Sequence, residues 1–531
     1  MKHSRSASGA AAATMAAAAL FVSAPAAAQH PAPELAALRS AVRGYRTTHE
    51  GAIVRELAAL LAIPNLAHDS LGIRRNADAL ISLLQRRGLT TRLLETPGAP
   101  PVVFGELRAN GARRTVILYA HYDGQPVDAS DWATPPWSPT LRTGTLADGG
   151  TVVSLPGDSA AHIDAESRLY ARSAGDDKAS IIAMLAALDA LRASGVAPTV
   201  NIKLLFEGEE EAGSPHLAEI LRRNATLLQG DVFLLCDGPD HQSGRQQLLF
   251  GVRGITGLEL TVFGPTRALH SGHYGNWAPN PAVLLAHLIA SMRDDDGRIA
   301  IAHYYDDVGP LSAAEHAAIR ALPVPDTALR RSLGLATTES DDALLAERIM
   351  LPAINVRGIR AGAVGAQAAN AVPTEARASF DFRLVPNETP AHVRDVVNAH
   401  LRAQGYFVTS DSVTMAMRLA HPRIARVQWD SAGYPASRTR MDLPISRAVI
   451  RAVSDGIGSA PLVVPSMGGS APSYLFEKAL HMPVVIVPIA NYDDNQHAAN
   501  ENLRIGNLWN GIDLYAGIFA RLAADWPATQ R

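Results

Sequence analysis

The stretch TVNIKLLFEGEEEAGSP, residues Thr199–Pro215, joins an apolar run to an acidic cluster. The run TVNIKLLF is rich in residues that favour strands and predicts a buried strand. Four glutamates follow within five positions: Glu207, Glu209, Glu210 and Glu211. Like charges this close repel one another unless a cation lies among them or they face water. The sequence therefore concentrates negative charge at the end of a strand and raises the question of what is bound there.

Similar apolar strands alternate with helix-patterned segments along most of the chain. The other predicted strands of this kind are TVILYAH (Thr115–His121), DVFLLCD (Asp231–Asp237), PLVVPSM and PVVIVPI. The predicted helices have apolar residues three or four positions apart; they are PELAALRSAVRGYRTTHEGAIVRELAALLAI, NADALISLLQRRG, KASIIAMLAALDALRASG and NLWNGIDLYAGIFARLAADW. This alternation predicts an α/β domain, in which helices cover both faces of a doubly wound, mostly parallel sheet.

The middle of the chain has a different pattern. From Gly254 onward, the strands GITGLELTVFG and ARASFDFRLV alternate apolar with polar residues. Such alternation is typical of an antiparallel sheet with one solvated face. We therefore predict that residues 252–438 form a smaller α+β domain inserted into the α/β domain, whose two parts are residues 29–251 and 439–531.

Composition and charge fit a globular protein and exclude some partners. The chain has 531 residues, of which 47% are apolar and 19% charged, so a large core is expected. The net charge of -3 gives no reason to expect nucleic acid or an anionic membrane as a partner. Cys236 is the single cysteine, so no disulfide can form within the chain.

The N-terminal 28 residues predict a secretory signal peptide. Lys2 and Arg5 precede an alanine-rich, mildly apolar run, and small residues lead to a cleavage site after Ala28. The alternative is a disordered alanine-rich tail. The run is too short for a good membrane span, so no stable membrane anchor is expected. The prediction is an exported protein, with the periplasm as first choice and secretion as second.

Several residues that follow the apolar runs have ordinary interpretations when each is taken alone. His121, at the end of a strand, is typical of a surface residue, and His497 lies in a polar loop. Asp176 and Asp177 precede a helix, where aspartate is a favoured N-cap and suits the positive end of the helix dipole. Asp123 lies two positions after His121 and would share its face, so it can accept from the ring and fix its tautomer.

Taken together, these residues indicate a metal site. They follow five apolar runs whose carboxyl ends we expect at one edge of the sheet: His121, Asp176, Glu211, Asp237 and His497. Asp237 ends a buried strand, which is where open α/β sheets bind ligands. Two histidines and three carboxylates suit Zn²⁺ or a similar divalent ion. One ion needs three or four of them, whereas two ions sharing a carboxylate would use all five and leave a neighbouring glutamate for proton transfer.

Seven segments occur in the order seen in a known enzyme family. They are AHYDGQP, LYARSAGDDKAS, EGEEEAGS, LLCDG, ALHSGHYGN, FDFRLVPNETP and QHAANENL. The chain resembles the di-zinc metallopeptidases that include carnosinases, bacterial dipeptidases, carboxypeptidase G and aminoacylases, and within them the dipeptidase branch. The similarity extends from about Glu34 to the C-terminus. It implies a catalytic α/β domain, an inserted lid domain, and two divalent ions per subunit, with zinc first and manganese or cobalt as alternatives.

The resemblance also implies roles for the catalytic residues. The metal ligands would be His121, Asp176, Glu211, Asp237 and His497, with Asp176 bridging both ions. Asp123 would orient His121, and Glu210 would be the general base that takes a proton from the attacking water. Asp177 would start the helix without binding metal, and Glu207 and Glu209 would serve local structure or electrostatics.

The lid domain would supply the remaining contacts in the same family pattern. His270 of HSGHYGN would reach the scissile carbonyl oxygen from the partner subunit of a homodimer, where an ordinary surface histidine is the alternative. ITGLELTVFG is a candidate for an edge strand that pairs the subunits. Arg383 would bind a substrate carboxylate through its guanidinium fork. Asn370 and Ser470, the latter in the loop GGSAP, would contribute beside it.

The function implied by the resemblance is hydrolysis of dipeptides or short peptides with a free carboxylate. Departures from the family pattern keep alternatives open, because Ser173 and Ala179 occupy positions that usually hold glycine. Met467 stands before GGS where many dipeptidases carry an acidic residue, so a contact to a substrate amino group is in doubt. The alternatives are a hydrolase of N-acyl amino acids and, more remotely, a catalytically silent protein that binds metal or peptide.

Overall fold

The structure is a computed structural model that describes residues 34–157, 162–323, 326–339, 343–470, 473–524 and 526. The predicted signal peptide, residues 1–28, lies outside these residues. Among the described residues, none of the helices combines the length and the apolar character that a membrane span requires.

The chain up to Val252 forms the first part of the larger domain. Its helices are α1 (Leu35–Leu61), α2 (Ser70–Arg86), α3 (Lys178–Ala193) and α4 (Leu217–Arg223). Its strands are β1 (Thr90–Leu94), β2 (Val102–Leu107), β3 (Thr115–His121), β4 (Thr140–Arg142), β5 (Val152–Val153), β6 (Arg168–Tyr170), β7 (Asn201–Glu207), β8 (Val232–Leu235), β9 (Gln247–Leu249) and β10 (Gly251–Val252).

The inserted segment follows directly. Its helices are α5 (Ser271–Tyr274), α6 (Pro281–Ala290), α7 (Ala313–Ala321), α8 (Asp326–Ser332), α9 (Leu345–Ile349), α10 (Pro390–Ala403) and α11 (Met415–Ala420). Its strands are β11 (Gly254–Phe263), β12 (Leu269–His270), β13 (Ala353–Arg360), β14 (Ala371–Val372), β15 (Glu375–Leu384), β16 (Phe407–Thr409), β17 (Ile424–Trp429) and β18 (Ser437–Arg438).

The chain then returns to the larger domain. This last part contains the helices α12 (Pro444–Ile457), α13 (Tyr474–Leu480) and α14 (Ile505–Arg521) and the strands β19 (Leu462–Val464), β20 (Val484–Ile486) and β21 (Asn502–Arg504). The short strands β10 and β18 pair antiparallel, so the chain enters and leaves the inserted segment side by side. Residues 252 and 438 are the last residues of these two strands; that they bound a domain remains a prediction from the sequence.

An eight-stranded sheet forms the centre of the larger domain, and the predicted fold class is confirmed. The strand order is β1-β2-β7-β3-β8-β20-β9-β19. Four neighbouring pairs are parallel, namely β7/β3, β3/β8, β8/β20 and β9/β19. The edge hairpin of β1 and β2, the β2/β7 pair and the β20/β9 pair are antiparallel. The sheet is therefore mixed but mostly parallel.

Helices cover both faces of this sheet, as the continuous apolar strands require. Along β3, Leu118 packs into a core shared with α1, α3, α12 and α14. The next residue, Tyr119, points to the other face and packs with Phe476 of α13 and Leu221 of α4. Both faces of the central strands are thus excluded from water, and polar side chains remain at the strand ends.

The inserted domain has a five-stranded sheet in the order β13-β15-β11-β17-β16. Its strands pair antiparallel except for β16 and β17, and α6 and α10 cover the buried face. The suggestion that ITGLELTVFG forms a sheet edge is wrong, because β11 pairs with β15 on one side and β17 on the other. Alternation of apolar and polar residues along a strand indicates that one face of the sheet is solvated, but it does not indicate whether the strand lies at an edge. The edge strands are β13 and β16.

Candidate active site

Two groups of possible metal ligands lie at the carboxyl edge of the eight-stranded sheet. One consists of His121, Asp176 and Asp237, and the other of Asp176, Glu211 and His497. Within each group the ligand atoms lie within 4.8 Å of one another. The five predicted ligands are therefore brought together, and Asp176 belongs to both groups.

The sheet topology explains four of these five positions. His121 ends β3, Glu211 and Asp237 follow β7 and β8, and His497 lies in the loop after β20. Because these strands are adjacent and run in the same direction, their carboxyl ends share one edge. Asp176 reaches the edge differently: it follows β6, which belongs to a separate four-stranded sheet, and it precedes α3. The expectation that all five runs belong to one sheet is therefore wrong for this residue.

Asp176 lies between the two histidines. Its Oδ1 is 2.7 Å from His121 Nε2, and its Oδ2 is 3.1 Å from His497 Nε2. His497 Nε2 is also 3.2 Å from Glu211 Oε2.

The electrostatics of the cluster fit cation binding. Burial, together with repulsion from Asp176, raises the pKa of Asp237 to about 6 and that of Glu211 to about 7. Burial also raises the pKa of Glu210 well above its usual range. Asp237 Oδ1 is buried without a hydrogen-bond partner among the described residues. Buried carboxylates that repel one another, one of them with an unpartnered oxygen, are a donor set that a divalent cation stabilises.

The pKa values of the two histidines are raised as well, which favours their charged form, whereas the raised pKa values of the carboxyls favour the neutral form. Burial alone would lower the pKa of His121, but neighbouring Asp176 and Asp123 raise it well above its usual range. The hydrogen bond to Asp176 raises the pKa of His497 to about 9. The same contacts hold the pKa of the Asp176 carboxyl well below its usual range, although burial opposes this. The cluster therefore favours positive charge beside Asp176.

The four glutamates Glu207, Glu209, Glu210 and Glu211 point in different directions and have different partners. Glu207 accepts from the Tyr119 hydroxyl at 2.6 Å, and Glu209 accepts from the backbone N–H of His216 at 3.0 Å. Glu211 faces His497, and Glu210 lines the cleft. The first two serve local structure, as expected, and the last two face the candidate metal centre.

Asp123 contacts the backbone of this turn more closely than it contacts His121. Its Oδ1 accepts from the N–H of Glu210 at 3.1 Å, and its Oδ2 from the N–H of Glu211 at 3.0 Å. His121 Nδ1 is 3.4 Å from Asp123 Oδ1, which is long for a hydrogen bond. Asp123 thus orients the Glu210–Glu211 turn, a role that the alternation argument did not reveal.

Glu501 is a buried residue that the sequence analysis missed. Its carboxylate accepts from the backbone N–H groups of Ser173, Gly175 and Asp176, at 2.8–3.0 Å. It also pairs with Arg172 at 2.7 Å. These bonds fix the turn that carries Asp176. The signal available in sequence was its place four residues after His497, in QHAANE.

Ser173 shows how the chain accommodates a departure from the family pattern. Its φ is +64°, a left-handed conformation that favours glycine. The Ser173 hydroxyl donates to the Asp123 carbonyl at 3.1 Å and accepts from the Asn65 amide at 2.8 Å. These bonds offset the backbone strain and link the Asp176 turn to the strand end that holds His121.

Asp177 occupies the N-cap position of α3 but does not cap it with its side chain. Instead its Oδ2 accepts from the backbone N–H of His121 at 3.3 Å. The N-cap interpretation of Asp177 is therefore correct in position and wrong in hydrogen bonding. Asp176 faces the candidate metal centre and is not an N-cap.

The predicted substrate-binding residues fall into two places. Arg383 donates to Ser470 Oγ at 2.9 Å and to Asp381 Oδ2 at 2.8 Å. Ser470 lines the same cleft as Asp237. Two residues of the predicted GGSAP loop, Ala471 and Pro472, lie outside the described residues.

His270 and Asn370 lie together but apart from the ligands. His270 is exposed, its Nδ1 accepts from the N–H of Gly272 at 3.1 Å, and its ring contacts His273. Asn370 is exposed, and its backbone carbonyl accepts from the backbone N–H of Ser271 at 2.8 Å. Within the described part of this single chain, His270 has no hydrogen bond or ion pair with the candidate ligands.

A cleft of about 430 Å³ opens at the ligands and extends under the inserted helices. Asp176, Glu210, Asp237 and His497 line its polar end. This volume lies within the range of about 300–1,000 Å³ that is common for small-molecule sites. The cleft can therefore hold a small substrate against the candidate metal centre.

Comparison with known families gives one match that spans most of the chain. The model described as Peptidase family M20/M25/M40 matches residues 117–521. This range contains both ligand groups and the whole inserted segment.

Individual proteins extend this comparison. The chain is 26% identical over 434 residues to the Cys-Gly metallodipeptidase of Schizosaccharomyces pombe, covering 81% of this chain and 84% of the relative. It is 27% identical over 434 residues to the Beta-Ala-His dipeptidase of Homo sapiens, covering 80% and 78%. The crystal structure of an M20 family metallo-carboxypeptidase from Sulfolobus solfataricus has a TM-score of 0.67 at 28% identity, covering 89% and 99%.

The prediction of an exported protein is wrong. The Cys-Gly metallodipeptidases that match this chain are cytosolic enzymes, which contradicts a periplasmic or secreted location. The prediction depended on an alanine-rich run, and alanine is only mildly apolar, so this run was a weak signal.

Proposed function

The chain belongs to peptidase family M20/M25/M40, and on that premise we propose that it hydrolyses dipeptides or short peptides with a free C-terminal carboxylate. The reaction would use two divalent ions per subunit, with zinc as first choice and manganese or cobalt as alternatives. The observation that carries this proposal is the pair of ligand groups that share Asp176.

The residues divide between two ion sites. His121 and Asp237 would hold one ion, Glu211 and His497 would hold the other, and Asp176 would bind both. When bound, the ions would supply Lewis acidity and lower the pKa of a water molecule. Glu501 would keep Asp176 in place, since it accepts from the N–H of Asp176 at 3.0 Å.

Glu210 is the proposed general base. It lines the cleft beside both ligand groups, and the bond from its N–H to Asp123 fixes its position. Burial raises the pKa of its carboxyl, which makes it a stronger proton acceptor than an exposed glutamate. Glu210 would take a proton from the attacking water and later deliver it to the leaving amine.

Arg383 and Ser470 are the proposed contacts for the substrate carboxylate. Arg383 is already held by Asp381 and Ser470, so its guanidinium keeps a fixed orientation. The relatives named above are a Cys-Gly and a Beta-Ala-His dipeptidase. A free carboxylate is common to dipeptides and to N-acyl amino acids, so this contact suits both substrate classes.

We further propose that the active form is a homodimer in which His270 and Asn370 act on the partner's site. Both residues are exposed, and neither joins the ligands of its own chain. The edge strand β13 exposes Val356 and Ile359, at 37% and 62% of their surface, and so offers a place for strand pairing. His270 would donate to the oxyanion of the transition state.

The test compares free dipeptides with matched N-acetyl amino acids, before and after metal removal. We expect no hydrolysis by chelator-treated protein and recovery of dipeptide hydrolysis with Zn²⁺, Mn²⁺ or Co²⁺. Full activity of verified metal-free protein would refute the proposal. Hydrolysis of N-acetyl amino acids alone would favour the deacylase, for which the nonionic Met467 in the cleft wall is the supporting observation. Metal binding without any hydrolysis would favour the catalytically silent binding protein.

A further inference from the structure

One wall of the cleft is apolar and belongs to the inserted segment. It is formed by Leu322, Pro323, Leu329, Leu345, Ala346 and Ile349, which lie at the end of α7, on α8 and on α9. These side chains are partly accessible, and Leu345 exposes 49% of its surface. Apolar surface that faces a cleft loses its contact with water only when a ligand covers it.

This wall is attached to the larger domain. Ala314 and Ala318 of α7 pack against the main core. Ile349 of α9 lies against Gly468: a Cβ atom added to this glycine would be 3.1 Å from Ile349 Cδ1. Because the wall is packed against the larger domain, it has a defined position relative to the candidate metal ligands, which lie on that domain.

The facing wall continues this apolar surface. Leu249, Val464 and Met467 line the cleft from the larger domain. Among the described residues that line the cleft, the carboxylates are Asp176, Glu210 and Asp237, all at the candidate metal centre, and there is no lysine or arginine. The polar side chains of the lining away from the candidate ligands are amides, hydroxyls and one imidazole, among them Gln242, Gln247 and His241. A charged substrate group beside the apolar walls would therefore lose water without gaining a permanently charged partner.

We propose that this apolar part of the cleft determines specificity and selects substrates with one large apolar side chain, such as leucine, methionine or phenylalanine. The inference rests on the proposed peptidase function and defines its substrate class. A large apolar side chain that covers both walls removes apolar surface from water. A glycine residue would leave the walls hydrated, and the charged side chain of aspartate or lysine would lose its own hydration there.

The first experiment measures kcat/KM of the metal-loaded enzyme for two series, Gly-Xaa and Xaa-Gly, where Xaa is Gly, Ala, Leu, Phe, Asp or Lys. In at least one series we expect leucine and phenylalanine to exceed glycine by about 10- to 100-fold. Aspartate and lysine in that series should fall below leucine by a similar factor. A flat response to Xaa in both series, or a preference for charged side chains, would overturn the inference.

The second experiment tests the wall itself with Leu345→Asn. Leu345 exposes 49% of its surface, so the variant should fold, and its kcat/KM for the Gly and Ala dipeptides should fall less than that for leucine dipeptides. Its kcat/KM for the best leucine dipeptide should fall about 3- to 10-fold. Leu333→Asn is the matched control, because Leu333 exposes 62% of its surface and does not line the cleft.

The two proposals fail in different ways. If no peptide is hydrolysed by protein with verified metal content, the proposed function fails. If peptides are hydrolysed but Leu345→Asn changes all substrates equally, or Leu333→Asn has the same selective effect, the specificity inference fails while the function stands.

Discussion

The carboxyl edge of the eight-stranded sheet and the outer surface of the inserted domain both carry predicted catalytic residues, but they present them in opposite ways. At the sheet edge, four candidate ligands surround a fifth, the buried Asp176. On the inserted domain, His270 and Asn370 are exposed and lie beside each other without reaching that cluster. A single chain therefore completes the candidate metal centre but not the proposed site for the oxyanion.

The reason lies in how each region is assembled. Parallel strands bring residues that are far apart in sequence to one edge, and burial then couples their charges. On the inserted domain, His270 ends β12, which pairs with β14 apart from the five-stranded sheet, and Asn370 directly precedes β14. Both are exposed, so they face water or another molecule. The comparison predicts that changes at the sheet edge have the larger effects, and that those on the inserted domain depend on a second subunit.

The largest effect is expected from Asp176→Ala. Because Asp176 belongs to both ligand groups, its loss should abolish activity and remove both ions from protein dialysed against buffer. Metal analysis and kcat/KM check this expectation. Glu209→Gln is the matched control from the acidic cluster: it contacts His216, so both ions should remain. Two tightly held ions in Asp176→Ala would show that Asp176 is not the bridge.

The next largest effect is expected from Glu210→Gln. The amide cannot accept the proton, so kcat should fall by about 10²- to 10⁴-fold. Metal content should stay near that of the wild type, because Glu210 belongs to neither ligand group. Measuring both quantities on the same preparation separates loss of the base from loss of the ions. Near-normal turnover would refute the assignment.

A mixing experiment tests whether the inserted domain acts across subunits. His270→Ala alone should lower kcat by roughly 10²- to 10³-fold, as expected for loss of an oxyanion donor. After subunit exchange with Glu210→Ala, a mixed dimer would contain one site with both groups intact. Equal random mixing makes half of the dimers mixed, so activity should recover to roughly a quarter of the wild type. No recovery despite demonstrated exchange would contradict a trans role for His270.

The smallest effect concerns a buried acid of the inserted domain. Burial raises the pKa of Glu388 to about 7, and Val385 donates its N–H to this carboxylate at 2.8 Å. The folded state therefore holds a proton that the unfolded state releases near pH 4.5, so this contribution to stability is present below that pH and is lost as pH rises to 7. The loss is up to about 3 kcal/mol. The difference in urea midpoint between pH 5 and pH 8 should shrink in Glu388→Gln.

The control for that measurement is Asp395→Asn, a change at an exposed acid on α10 of the same domain. It should leave the difference between the two pH values unchanged. An equal pH difference in wild type and Glu388→Gln would contradict the expectation for Glu388.

The sequence by itself determined the mostly parallel α/β fold and the presence of an inserted domain with a different pattern. Continuous apolar runs and alternating runs have different solvent exposure, and this is a local property. Four of the five candidate ligands were also predictable together, because the carboxyl ends of adjacent parallel strands share one edge. His121, Glu211 and Asp237 follow this rule directly.

Only the tertiary structure decided how those residues are held. Asp176 arrives from a different sheet and is fixed by Glu501, a contact between residues 325 positions apart. The left-handed Ser173, the place of β11 inside its sheet and the apolar wall around Leu345 likewise depend on which segments pack together. Local patterns encode exposure and period, whereas edges, turns and cleft walls arise from long-range packing that no window of sequence contains.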